Sequence, residues 1–280
     1  MKVTLANDKI SVEKPSRKPW WHAKLLPVIG WVLWLTFAFF AANVVMAIIL
    51  VALRYAHLTD LRLGTVAMTF VDAGLYVMMF AIAIWLPLRQ RKKARKLAVT
   101  DTEAIKLPRT KFILNLLGLS RWPNWRDVGY FASNVPLFYL TDIVAMFAAT
   151  LIFGLSTMSQ QQNLGFAMSG QSAWHLVAIF IALVIIPPLV EEALMRGFLF
   201  GKLREKIPFW PAALVVSLLF AVAHWQINVS LMTFILSMFN CRIREKTGSI
   251  WGGVFMHMTV NLLSFGVLFL GWFGGANVGV

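Results

Sequence analysis

Apolar residues run along the chain in stretches too long for the core helix of a soluble domain, and short, strongly basic connections separate them. About 20 apolar residues cross the hydrocarbon core of a bilayer, so apolar length and flanking charge predict spans near 25–53, 63–88, 128–155, 174–200, 211–225, 229–241 and 249–273. The fifth and sixth are short for that task and are expected to tilt, to be enclosed by neighbours or to extend into the interface. The expected fold is all-α, a polytopic helical membrane protein of about seven transmembrane helices. A basic tail over 1–24 precedes a single helical membrane domain over 25–280.

Charge sets the orientation. Lys and Arg number 6 in residues 1–24, 2 in 54–62, 11 in 89–127, none in 156–173, 4 in 196–206 and 3 in 242–246. Basic connections stay on the cytosolic side, so this alternation predicts a cytosolic N-terminus and an external C-terminus; the cell (plasma) membrane is the expected host. It also explains the net charge of +14 without nucleic acid, because a nucleic-acid binder carries its basic residues on a soluble fold and not between apolar spans. The first apolar run exceeds a signal peptide's core and lacks a small-residue cleavage site, so it is read as a retained span. Cys241, the single cysteine, excludes an internal disulfide and any CxxC metal cluster. Residues 89–127 read as a basic cytosolic loop held against anionic headgroups, with Phe112, Leu116, Leu117, Trp122 and Trp125 as interfacial anchors.

Ionisable groups inside spans are costly unless they face the protein interior and find partners, which makes them functional candidates. Those here are Asp72, Asp142, Glu191, Glu192, His224 and His257, with His175 near an interface. The two aspartates are expected to bond to Thr69, Thr141 or backbone. In "IPPLVEEALMRGFLF", residues 186–200, Glu192 and Arg196 stand four apart, the spacing at which a carboxylate meets a following cation on a helix. They are expected to form a structural ion pair. Glu191 points about 100° away, so it needs another partner or a raised pKa, and a desolvated carboxylate near imidazole suits a general base. Pro187 and Pro188 lack backbone donors, which permits a water-holding cavity beside Glu191. His257 and Asn261 share one helix face, and Gly252 and Gly253 allow close helix approach a turn earlier. Counted from the expected cytosolic ends, Glu191, His224 and His257 lie at depths of roughly 12 to 20 Å and can share one layer.

EExxxR, FxxxH and HxxxN, standing here as Glu191-Glu192-Ala-Leu-Met-Arg196, Phe220-Ala-Val-Ala-His224 and His257-Met-Thr-Val-Asn261, occur in order on successive apolar segments. Together they resemble the motifs of the CAAX protease and bacteriocin-processing (CPBP) family of intramembrane endopeptidases, over about residues 174–273. The resemblance implies hydrolysis of peptide bonds in membrane-associated or lipidated protein or peptide substrates, of the CAAX-processing kind. It implies that Glu191 with His224 activates water, that His257 with Asn261 stabilises the oxyanion, and that Glu192 and Arg196 hold the first motif in place. Glu191, His224 and His257 could instead complete a three-ligand zinc site, but no HExxH helix is present and water activation without a metal is favoured. The alternatives are a non-catalytic scaffold or immunity protein, and a proton-coupled transporter using the same polar layer.

Overall fold

The computed structural model of this 280-residue chain describes the backbone of residues 2–6, 9–13, 20–55, 65–97, 107–159 and 172–270, and the side chains of 24–52, 71, 73–93, 107–159 and 172–270. The side chain of Asp72 lies outside the described residues. In the basic tail, β1 (Lys2–Ala6) and β2 (Lys9–Glu13) pair as an antiparallel hairpin. All else with regular structure among the described residues is helical: α1 (Trp20–Tyr55), α2 (Thr65–Leu97), α3 (Arg109–Leu116), α4 (Trp125–Phe153), α5 (Ala173–Arg204), α6 (Phe209–Val222), α7 (Ile227–Thr247) and α8 (Trp251–Phe269), with one further turn at Leu155–Met158.

Five of these, α1, α2, α4, α5 and α8, are long and apolar enough to cross a membrane, and the chain is an all-α integral membrane protein. The two short spans resolve differently. The sixth, expected over 229–241, is a 21-residue helix whose last turns carry Arg242, Arg244, Glu245 and Lys246, so charge had masked its true length. The fifth is only 14 residues, about 21 Å against a hydrocarbon core of about 30 Å. It stops before His224.

Helix α8 is the most enclosed of the five, with 44% of its apolar window buried against 11% for α4. Ile143, Phe147 and Leu151 of α4 face outward, where lipid replaces water as the solvent for apolar side chains. The main core joins Leu194, Phe198 and Leu203 of α5 to Ala212, Ala213 and Val216 of α6, and to Ala38 and Ala42 of α1 and Ala83 of α2. The alanines let backbones approach, and packing of this sort holds helices together where no water drives association. Trp34 Nε1 donates to the Ala83 carbonyl at 2.9 Å, pinning α1 to α2.

The loop between α2 and α4 docks through its second half. Asn124 caps α4, its side chain accepting from the Arg126 and Asp127 amides while Asp127 Oδ2 accepts from the Asn124 amide. The buried Asp127 carboxylate also takes two bonds from Arg121, at 2.6 and 2.9 Å, and this bond holds the Arg121 guanidinium above its ordinary pKa. Trp122 and Trp125 are exposed. Leu117 is not an anchor: it is buried, and its backbone lies against Gly197 of α5. A Cβ at Gly197 would run into the Leu117 carbonyl, a backbone group that cannot turn away. Gly197→Ala is therefore expected to cost about 1–3 kcal/mol or more, read as a lowered unfolding temperature in detergent.

Candidate active site

The first acidic motif sits on a helix with two π-wound segments. Helix α5 runs as α-helix over Ala173–Phe180, as π-helix over Ile181–Ile185, as α-helix over Ile186–Glu192, and as π-helix again over Ala193–Leu199. The carbonyl of Leu183 would accept from residue 187 in an α-helix or 188 in a π-helix, and both are proline. Asn261 Nδ2 of α8 supplies the missing donor at 2.8 Å. The double proline thus breaks α5 one turn before Glu191, and Asn261 closes the break.

The two glutamates face different surroundings. Glu192 is fully buried; its Oε1 lies 3.0 Å from Arg196 Nη1, accepts from Asn240 Nδ2 at 3.0 Å and meets His257 Nδ1 at 3.2 Å. The Arg196 guanidinium, also fully buried, lies 4.6 Å over the Phe220 ring. Gly253 makes room for this cluster, since a Cβ there would stand 3.0 Å from Glu192 Oε2. Glu191 keeps 17% of its side chain exposed and lines a cavity of about 460 Å³ together with Leu35, Tyr76, Phe220, His224 and Trp225. Its Oε1 accepts from Tyr76 Oη at 2.6 Å, and its Oε2 lies 3.8 Å from His257 Nε2.

His224 is not on a helix, contrary to its placement in the fifth span. It occupies the turn after α6, followed by Trp225 in the left-handed region at φ 56°, a conformation that costs a bulky residue about 1–3 kcal/mol. Irregular backbone at membrane depth persists only where protein or an aqueous cavity satisfies it. Here the His224 amide donates to Ala221, Ser230 Oγ donates to the same carbonyl, and His224 Nδ1 lies 2.8 Å from the Phe220 carbonyl. A carbonyl only accepts, so Nδ1 carries the proton there and Nε2 is the nitrogen with a lone pair.

Glu191, Glu192, Arg196, His224 and His257 thus gather around Phe220, whose ring meets His224 at 4.9 Å and His257 at 5.8 Å. Asn261 sits one turn beyond His257, with its amide on Leu183. Asp142 stands apart on α4: its Oδ1 is buried without a hydrogen-bond partner, and Thr141 bonds to the Leu137 carbonyl instead of to it. His175 lies in the first turn of α5, where its amide donates to Ser172 Oγ. Two site residues escaped sequence reasoning. Tyr76 sits on an apolar helix in the other half of the chain, and Asn240 precedes the basic end of α7. A polar amide two residues before the basic turn at 242–246 was the only signal for Asn240. Among the described residues no group of three His, Cys, Asp or Glu side chains that could hold a metal ion is found.

Comparison with known proteins points the same way as the motifs. Residues 173–263 match the family model described as "Type II CAAX prenyl endopeptidase Rce1-like". The chain is 30% identical over 77 residues to a Bacillus subtilis (strain 168) protein named "Putative membrane peptidase YdiL". That stretch is 28% of this chain and 32% of the relative, so the chain spans about a third of the length of the curated relative it matches. No solved structure matches the chain.

Proposed function

With residues 173–263 of the Rce1-like CAAX prenyl endopeptidase kind, we propose that this protein is an intramembrane endopeptidase hydrolysing peptide bonds of membrane-associated or lipidated proteins. The observation that carries the reading is the Glu191 carboxylate, partly open to a cavity that it shares with His224 and Tyr76 and that is lined mostly by apolar side chains. Glu191 with His224 takes the proton of a water that attacks the scissile carbonyl. The proton then passes to the leaving amine, as microscopic reversibility asks of a base that becomes an acid. His257, its Nδ1–H held by Glu192 and its Nε2 presented toward Glu191, donates to the developing oxyanion through Nε2 when both ring nitrogens carry a proton. Asn261 spends one N–H on Leu183 and has a second on the same nitrogen for that role.

No step in this reading passes through a metal. The protein lies in the plasma membrane with its N-terminus in the cytosol, and the basic residues at the end of α2 and around α3 face anionic headgroups there. Cleavage of a membrane-tethered peptide library by protein in vesicles tests the reading. His224→Ala is expected to lower the rate by about 100-fold or more with the unfolding temperature preserved. Equal cleavage by the two proteins, or activity that disappears when a stoichiometric metal is chelated, would count against it.

A further inference from the structure

The Rce1-like region begins at residue 173, yet the cavity that Glu191 opens into is walled on one side by α1 and α2. From α2 a hydroxyl reaches across: Tyr76 Oη donates to Glu191 Oε1 at 2.6 Å, 115 residues away in sequence. We infer that Tyr76 is a positioning residue of the active site, which fixes the Glu191 carboxylate by one oxygen and leaves the other turned to His257 and the attacking water.

Three observations support this. Tyr76, Met79 and Ala83 stand three and four residues apart and pack on the same core cluster, so they share the α2 face turned to α5 and the tyrosine is aimed by its helix. The helix itself is held, because Trp34 Nε1 binds the Ala83 carbonyl two turns further on and locks α2 to α1. Glutamate also has three side-chain torsions, and a carboxylate in an apolar cavity can otherwise rotate freely between its two oxygens. At 2.6 Å the bond to Oε1 is in the short range of O–H···O⁻ bonds, which are about twice as strong as neutral ones. Oε2, 3.8 Å from His257 Nε2, is then the oxygen that remains for chemistry.

The groups around this carboxylate are Tyr76 from α2, His257 from α8 and His224 from the turn after α6, with Glu192 and Arg196 paired beside it on α5. Asp72 precedes Tyr76 by one turn of α2, and its side chain lies outside the described residues. Of the first three, Tyr76 is the one within hydrogen-bond distance of Glu191. A group fixed to a fraction of an ångström converts a loose encounter into a near-attack geometry, and a misplacement of about 1 Å can cost about 100-fold.

The inference rests on Glu191 as the base, so its test separates the two. Tyr76→Phe keeps the ring and removes only the hydroxyl. In the vesicle assay it is expected to lower kcat by about tenfold or more with KM within about twofold. Infrared difference spectra against Glu191→Gln isolate the Glu191 carboxylate band, which is expected to shift in Tyr76→Phe because one oxygen has lost its donor. Replacing Tyr76 by 3-fluorotyrosine, of nearly the same shape but with a more acidic hydroxyl, should shift the band while the fold stays intact. A wild-type kcat in Tyr76→Phe, a change in KM alone, or an unmoved band in both variants would overturn the role of Tyr76. Wild-type cleavage by Glu191→Gln would overturn the role of Glu191, and the infrared bands would still report on the bond itself.

Discussion

Glu191→Gln is expected to lower kcat by about 10²- to 10⁴-fold, the usual contribution of a positioned general base, while KM and the unfolding temperature stay close to wild type. The substitution changes little except charge. A glutamine oxygen still accepts from Tyr76 Oη, and the side chain still fills its place against the cavity. What disappears is an oxygen able to take a proton from water. Because Glu191 is 17% exposed and meets no Lys or Arg among the described residues, its removal leaves no buried cation unpaired. The loss should therefore be kinetic alone. Steady-state cleavage of a tethered peptide in vesicles measures it, and a variant that cleaves at the wild-type rate would remove the basis for a hydrolase centred on this residue.

The helical membrane class was legible because long apolar runs state it directly. The α5 ion pair was legible for a similar reason: Glu192 and Arg196 interact within one helix, at a spacing the helix repeat fixes. The ends of α6 and α7 were not, and the two cases differ in cause. In α7 the basic turn at 242–246 looks like the edge of the membrane although the helix continues through it. At the end of α6, "AVAHWQ" is apolar enough to read as span, and nothing local announces that the chain leaves the helix at Ala223. The turn exists because distant groups, Ser230 Oγ among them, satisfy its carbonyls. The contacts of Tyr76 with Glu191 and of Asn261 with Leu183 are likewise tertiary. The prolines announced that a carbonyl would be freed, and only the packing of α8 on α5 decided which amide would claim it.

The second acidic residue is expected to respond in the opposite way. Arg196→Met removes the cation beside a carboxylate with no exposed surface, leaving Glu192 with Asn240 and His257 as its remaining partners. Breaking a buried pair from one side costs about 3–5 kcal/mol, because the surviving charge stays in a medium that cannot solvate it. The contact of the guanidinium with the Phe220 ring goes as well. Adding Glu192→Gln removes the stranded charge, so the double variant should recover much of the loss, and a double-mutant cycle on unfolding in detergent measures the coupling. An Arg196→Met protein within about 1 kcal/mol of wild type, or a double variant no more stable than the single one, would refute a stabilising pair. Activity should not return along with stability. His257 Nδ1 meets Glu192 Oε1, and a carboxylate there only accepts, so it keeps a proton on Nδ1 and holds the ring with Nε2 toward Glu191, whereas a glutamine amide can rotate and offer either a donor or an acceptor. A double variant that is folded but slow would tie the buried pair to the orientation of His257, and so to the reaction layer that Glu191 occupies.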